Sequence, residues 1–216
     1  ISSKADRLFL SWEWMHTWWA TYGQESSNQL RLLVAYDNQE RLIGIAPLYL
    51  SLSKQKRIMT RRLLFIGTSW YGQSAMRSEL LEFIVDCKFA SATVTAFLNA
   101  INDMQEWGEL VLSELRNASE TCKQFVQNPM KNCYYRPCYT EKAYCLNTNT
   151  NFEKYLSSIG KNTRLKLFNR RKILHSLGDV EYNHKNHQSI NSLFKLLNEL
   201  HNKRWGKNAF ANKSLD

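Results

Sequence analysis

Residues 30 to 52 constrain the fold most. Leu30, Leu32, Val34 and Tyr36 recur at every second position, so they share one face of a strand. Asp37-Asn38-Gln39-Glu40 is rich in turn formers. Arg41 to Leu52 then reads as a second strand. Pro47 has no amide N–H to give to a ladder, which predicts an edge or a bulge at that point. Lys54 to Arg62 is basic and reads as a solvated turn or ribbon. Leu63-Leu64-Phe65-Ile66, closed by Gly67, reads as a buried third strand. The loop Thr68 to Ser74 carries Trp70, Tyr71 and Gly72; an exposed Trp-Tyr pair would be a binding surface, a buried one part of the core.

Helices flank these strands. Phe9 to Gly23 has Ser11 as N-cap, Glu13 in the first turn and Gly23 as the stop, with Leu10 and Met15 as a hydrophobic staple. Trp12, Met15, Trp18, Trp19 and Tyr22 recur at helical spacing, which suits core packing. Phe89 to Met104 gathers Phe89, Thr93, Ala96, Phe97, Ala100, Ile101 and Met104 on one face. Glu109 to Leu115 is a short strand. Ser119 caps a helix ending at about Asn128, before Pro129. Cys133 to Leu146 is extended, kinked at Arg136-Pro137. Asn151 or Thr150 caps a short helix through Ile159. A strand near Val180 to Tyr182 precedes a last helix from Ser189 to Trp205, with Ile190, Leu193, Phe194, Leu197 and Leu200 facing the core. The mixed order predicts an α/β (α+β) sandwich with a boundary near residues 148–151.

The 216 residues include five cysteines, an odd number without CxxC pairing, which favours reduced thiols in a cytoplasmic protein over a disulfide framework. Cys133, Cys138 and Cys145 lack zinc spacing. His184-Lys185-Asn186-His187 has an HxxH look without the glutamate of a metallohydrolase, so no metal is expected. No apolar run reaches the length of a membrane span, and no basic-then-apolar leader is present. The chain opens on Ile1 and closes on a polar stretch, as a piece of a longer protein would.

Net charge is +10, and Lys154 to Gly178 holds seven cations without a carboxylate. The segment reads as a helix after a loop. Leu167, Ile173, Leu174 and Leu177 share an arc; Lys161, Arg164, Arg171 and Lys172 gather opposite; Lys166 and Arg170 intrude on the apolar side, where long stems snorkel. Phe168 sits among the basic residues, and Gly178 is a C′ stop. Two readings stand: a solvated face of a packed helix, or a cradle for phosphate or carboxylate.

Several stretches, in this order, resemble GNAT-type acyltransferases of the CelD-like group, named for a cellulose-biosynthesis protein. Phe9-Leu10-Ser11-Trp12-Glu13-Trp14 with Trp18-Trp19 and Tyr22-Gly23 looks like the opening of that family. Leu42 to Tyr49 is similar to its second strand, Arg62 to Thr68 to the next strand and turn, and Ser78-Glu79-Leu80-Leu81-Glu82-Phe83 to its Ser-Glu-Tyr-Leu-Asp-Phe element. Phe152 to Gly178 is similar to its Leu-Ser-Lys…Arg…Leu-Arg-Arg segment. The resemblance implies two GNAT-like domains, related to Fem-type aminoacyl-ligases. Residues 1–149 would be a twisted mixed sheet flanked by helices, and 150–216 the basic, helical start of an incomplete second domain. It implies acyl transfer from acyl-CoA, such as acetyl-CoA, to an amine or hydroxyl in envelope polysaccharide chemistry.

The glycine-containing pyrophosphate loop of GNAT enzymes has no counterpart after Leu52, where Ser53-Lys54-Gln55-Lys56-Arg57 stands. The acyl-CoA site is therefore expected outside this chain. Glu79 and Glu82, spaced to share a helix face, are the candidates for a catalytic base, with solvated or salt-bridged carboxylates as the bland alternative. By the same resemblance Lys161, Arg164, Arg170 and Arg171, with Phe168 beside them, would bind an anionic small-molecule or carrier-linked substrate. A nucleic-acid binding module, with Phe168 stacking on a base, is the competing reading; a non-catalytic binding domain is the third.

Overall fold

The computed structural model describes residues 8–24, 27–55, 58–68, 78–135, 140–142, 144, 146, 149, 151–181 and 190–207. It is a mixed α/β chain in two compact units, Ile1–Arg136 and Pro137–Asp216. The elements are α1 (Trp12–Trp18, continued by a π-helical turn Trp19–Gly23), β1 (Gln29–Tyr36), β2 (Leu42–Gln55), β3 (Ile58–Phe65), β4 (Ile84–Val85), α2 (Ala90–Asp103), β5 (Glu109–Val111), α3 (Glu120–Gln127), α4 (Phe152–Ser158), α5 (Lys161–Ser176) and α6 (Ile190–Trp205).

The caps follow the sequence. Ser11 Oγ accepts from the Trp14 amide, Ser119 Oγ from Cys122, and Asn151 Oδ1 from Lys154. The turn after β1 is closed by Asp37, whose carboxylate accepts from the Gln39 and Arg41 amides.

The sheet runs in the order β1-β2-β3-β5, with β4 also on β2. Only β3 and β5 run parallel. Residues opposite one another in a ladder point to the same side. Tyr49, with Leu30 and Leu64 opposite it, faces Trp18 and Trp19, whose rings lie 5.5 and 5.8 Å from it. The other face carries Leu48 and Phe65 and meets α2. There Phe65, Phe83 and Phe97 form an edge-to-face chain, each step 5.4 Å. The glycine at 44 lets α2 approach, because a Cβ there would lie 2.5 Å from the Thr93 methyl.

Pro47 is buried in a central strand, not at an edge or a bulge. Its carbonyl accepts from the Ile66 amide, so its missing N–H faces the same side of β2. On that side β3 pairs from Leu48 onward and β4 pairs at Gly44 and Ile45. Proline falls in the gap between partners and costs no ladder bond.

Other expectations change. The basic stretch Lys54 to Arg62 takes the ribbon form of the two expected, with Ser51 to Gln55 of β2 paired to Ile58 to Arg62 of β3, but it is not solvated throughout. Arg62 is buried and meets Glu109, its partner across the ladder to β5. β5 ends at Val111, before a left-handed Glu114. β4 was not foreseen. Neither the extended stretch after Cys133 nor Val180 and Glu181 holds a strand among the described residues. Trp70, Tyr71, Gly72, Cys138, Cys145, Tyr182, His184 and His187 lie outside the described residues.

In the second unit, α4, α5 and α6 contain no buried residue. Ile190 and Phe194 are half-buried, while Leu193, Leu197 and Leu200 are exposed, so the expected core face of α6 is not covered. No helix among the described residues is long and apolar enough to cross a membrane.

Candidate functional site

The basic candidates lie on α5, which starts after Gly160 and runs without interruption to Ser176. With 3.6 residues per turn, Lys161, Arg164, Phe168 and Arg171 fall on one stripe along it. Arg164 is half-buried, and Lys161, Phe168, Arg170 and Arg171 are exposed. Arg170 and Arg171 come together with Phe152 of α4 and Leu174, one turn on, around an open hollow of about 560 Å³. Phe152 and Leu174 were not singled out as site residues by sequence. The signal for Phe152 was its place just after the Asn151 cap; α4 and α5 belong to one unit, and Phe152 lines the hollow with the arginines. Lys161, Arg164 and Phe168 do not line the hollow.

Among the described residues no carboxylate pairs with a cation of α5. The helix itself holds no Asp or Glu. Two adjacent guanidiniums beside an aromatic ring and a leucine can take an oxyanion bidentately while the apolar walls cover a hydrocarbon or sugar face.

Glu79 and Glu82 are placed differently from expectation. They do not share a helix face: residues 78 to 83 are irregular, and Leu80 is left-handed with φ 57°. Glu79 is exposed, whereas Glu82 is half-buried between Leu81 and Phe83, both fully buried. Burial pushes the Glu82 carboxyl up from the ordinary value, and the charge of Arg116 pulls it partly back. Burial of this kind raises a carboxylate's affinity for a proton, the direction a general base needs.

The segment is anchored at both ends. Trp14 Nε1 donates to Ser78 Oγ at 2.9 Å, and the Phe83 amide donates to Thr121 Oγ1 at 3.4 Å. Ser78 also packs on Gly67, which takes φ 98°; a Cβ there would lie 2.7 Å from Ser78 Oγ. Just past the carboxyl ends of the parallel pair β3 and β5, Thr68 Oγ1 and Ser113 Oγ are 3.1 Å apart, and Tyr49 OH donates to the Thr68 carbonyl. No sequence signal joins Thr68 to Ser113, which are 45 residues apart.

No group of three or more His, Cys, Asp or Glu side chains among the described residues could hold a metal ion. Of the cysteines, Cys87 and Cys133 are exposed and Cys122 is half-buried. Compared with protein-family models, curated proteins and solved structures, the chain finds no match.

Proposed function

We propose that this chain is the leading part of a GNAT-type acyltransferase of the CelD-like kind. Its first unit serves as scaffold, and α5 grips the anionic part of a small-molecule or carrier-linked acceptor. The observation that carries this reading is the hollow formed by Arg170, Arg171, Phe152 and Leu174. Its two cations have no ion-pair partner among the described residues, so they are available to an anion. The mixed five-stranded sheet with helices on both faces suits the proposed scaffold.

The uncovered helices support the same reading. Leu165, Leu167, Ile173 and Leu174 of α5 and Leu193, Leu196, Leu197 and Leu200 of α6 all remain exposed. Helices with that much apolar surface gain stability from a sheet or a further helix laid against them. A second GNAT-like domain completed beyond these residues would supply it, together with the acyl-CoA site. Glu82 is the proposed base, and its raised proton affinity is the property it contributes.

Calorimetric titration of a sugar phosphate and, separately, of acetyl-CoA tests this. The sugar phosphate binds the chain and loses at least tenfold in affinity in Arg170→Ala/Arg171→Ala, as expected for two charge-assisted contacts. Acetyl-CoA binding to this chain alone overturns the placement of the cofactor site elsewhere. Equal sugar-phosphate binding by the double variant overturns the assignment of the hollow.

A nucleic-acid reading draws on one further feature, the half-exposed ring of Phe168 within the stripe Lys161, Arg164 and Arg171. Single-stranded DNA binding that weakens steeply with salt and falls in Phe168→Ala favours it.

A further inference from the structure

The apolar stripe of β1 is the least explained surface of the first unit. Leu30, Leu32, Val34 and Tyr36 share a face as their alternation predicts, yet they are 39%, 49%, 51% and 58% exposed. Trp18 and Trp19 cover the same face at Tyr49 of β2. β1 ends the sheet, and among the described residues it pairs with β2 alone.

The backbone of these residues faces outward too. The Pro47 carbonyl points toward β3, so odd-numbered residues of this part of β2 turn that way and even-numbered ones turn toward β1. Opposite Ala46 and Leu48 stand Leu33 and Arg31, which therefore bond to β2. Leu30, Leu32, Val34 and Tyr36 are left with their N–H and C=O groups directed at the open edge. An eight-residue apolar edge of this kind is a template for another strand.

The geometry points to a second copy of this chain as the strand that fills the edge, through antiparallel β1–β1 pairing about a two-fold axis. A two-fold perpendicular to the sheet pairs residues of the same face. With Leu33 on the axis, Leu32 meets the partner's Val34 and Leu30 meets the partner's Tyr36. All four apolar side chains then face apolar side chains, and all four outward-facing residues enter hydrogen-bonded pairs. Charge does not oppose this. Arg31, the one cation of β1, stands opposite the partner's Ala35 instead of the partner's Arg31. Its guanidinium is already neutralised by Glu106, with Nε at 2.6 Å and Nη2 at 3.2 Å from the carboxylate oxygens. Arg31 Nη1 also donates to the Leu30 carbonyl at 2.9 Å, so pairing requires that oxygen to accept the partner's Tyr36 amide with its second lone pair.

Light scattering coupled to size exclusion tests the pairing on the 216-residue chain. The expected mass is double the 25.4 kDa of one copy. Val34→Lys sets a lysine beside Leu32 of the partner and should return the mass to that of one copy with an unchanged circular dichroism spectrum. Val126→Lys changes an equally exposed valine on α3 and should leave the doubled mass intact. Leu33→Cys adds an independent check. On the axis its Cα lies about 4.5 Å from its mate, within reach of a disulfide. Oxidation should then give a covalent dimer that the parent chain, with its native cysteines, does not form. A single-copy mass for the parent chain overturns the proposal. So does a doubled mass that survives Val34→Lys, or a Leu33→Cys chain that fails to crosslink.

Discussion

The indole N–H of Trp14 reaches the hydroxyl of Ser78 over 2.9 Å and 64 residues of chain. It ties α1 to the segment that carries Glu79 and Glu82. Ser78 is almost fully buried, so its hydroxyl loses a donor that water cannot readily replace. Trp14→Phe keeps a ring near the edge of Phe9, whose centroid lies 4.9 Å away, but removes the bond. The expected loss is about 1–3 kcal/mol in urea unfolding, and Ser78→Ala in the same background should cost little more. Additive losses in the double variant would show that the two groups act separately.

A second long-range pair holds the parallel edge. Arg62 is buried, and Glu109 faces it across the ladder while remaining partly exposed. Glu109→Gln removes the carboxylate beside a desolvated cation. It should cost about 2 kcal/mol, less than a fully buried pair because water reaches Glu109. Arg62→Met/Glu109→Leu should recover much of that loss. Chemical denaturation of the three variants measures it.

Packing at Gly44 gives a third test. A methyl group there would meet the Thr93 methyl at 2.5 Å and the Phe97 ring at 3.1 Å. Gly44→Ala should destabilise by about 2 kcal/mol, because β2 and α2 would have to separate. Gly44→Ala/Thr93→Ser, which removes the nearest methyl, should recover part of it. An unchanged melting temperature in the single variant would contradict the close approach.

Acid titration should reveal two opposite signs. Hydrogen bonds from Arg41 and Arg31 hold the carboxyls of Asp37 and Glu106 below their ordinary values. Their stabilising contribution is present above the unfolded value near about 4 and is lost as pH falls through the lowered folded value. Glu82 runs the other way: burial raises it, so its ionisation opposes folding above the raised folded value, and the penalty shrinks as pH falls through that value and is gone below the unfolded one. Glu82→Gln should therefore stabilise the chain at neutral pH, with the gain shrinking in acid. Glu106→Gln should destabilise at neutral pH and converge on the parent in acid. Thermal melts across the acid range read both.

Local chemistry was legible along the chain wherever both partners lie within a few residues. Ser11, Ser119 and Asn151 cap the helices that follow them, and Asp37 closes its turn, because each bond is made over two to four positions. The basic face of α5 was equally plain, since helical period alone lines up Lys161, Arg164, Phe168 and Arg171. Tertiary structure decided what those periods could not. It put Pro47 in mid-sheet by changing the partner of β2 beside it, and buried Arg62 against a carboxylate from a distant strand. Among the described residues it left the β1 stripe exposed, while Trp18 and Trp19 pack on Tyr49 of the neighbouring strand. A left-handed Leu80 kept Glu79 and Glu82 off a common helix face. Periodicity states which side chains share a face, whereas burial depends on what is laid against that face from far along the chain.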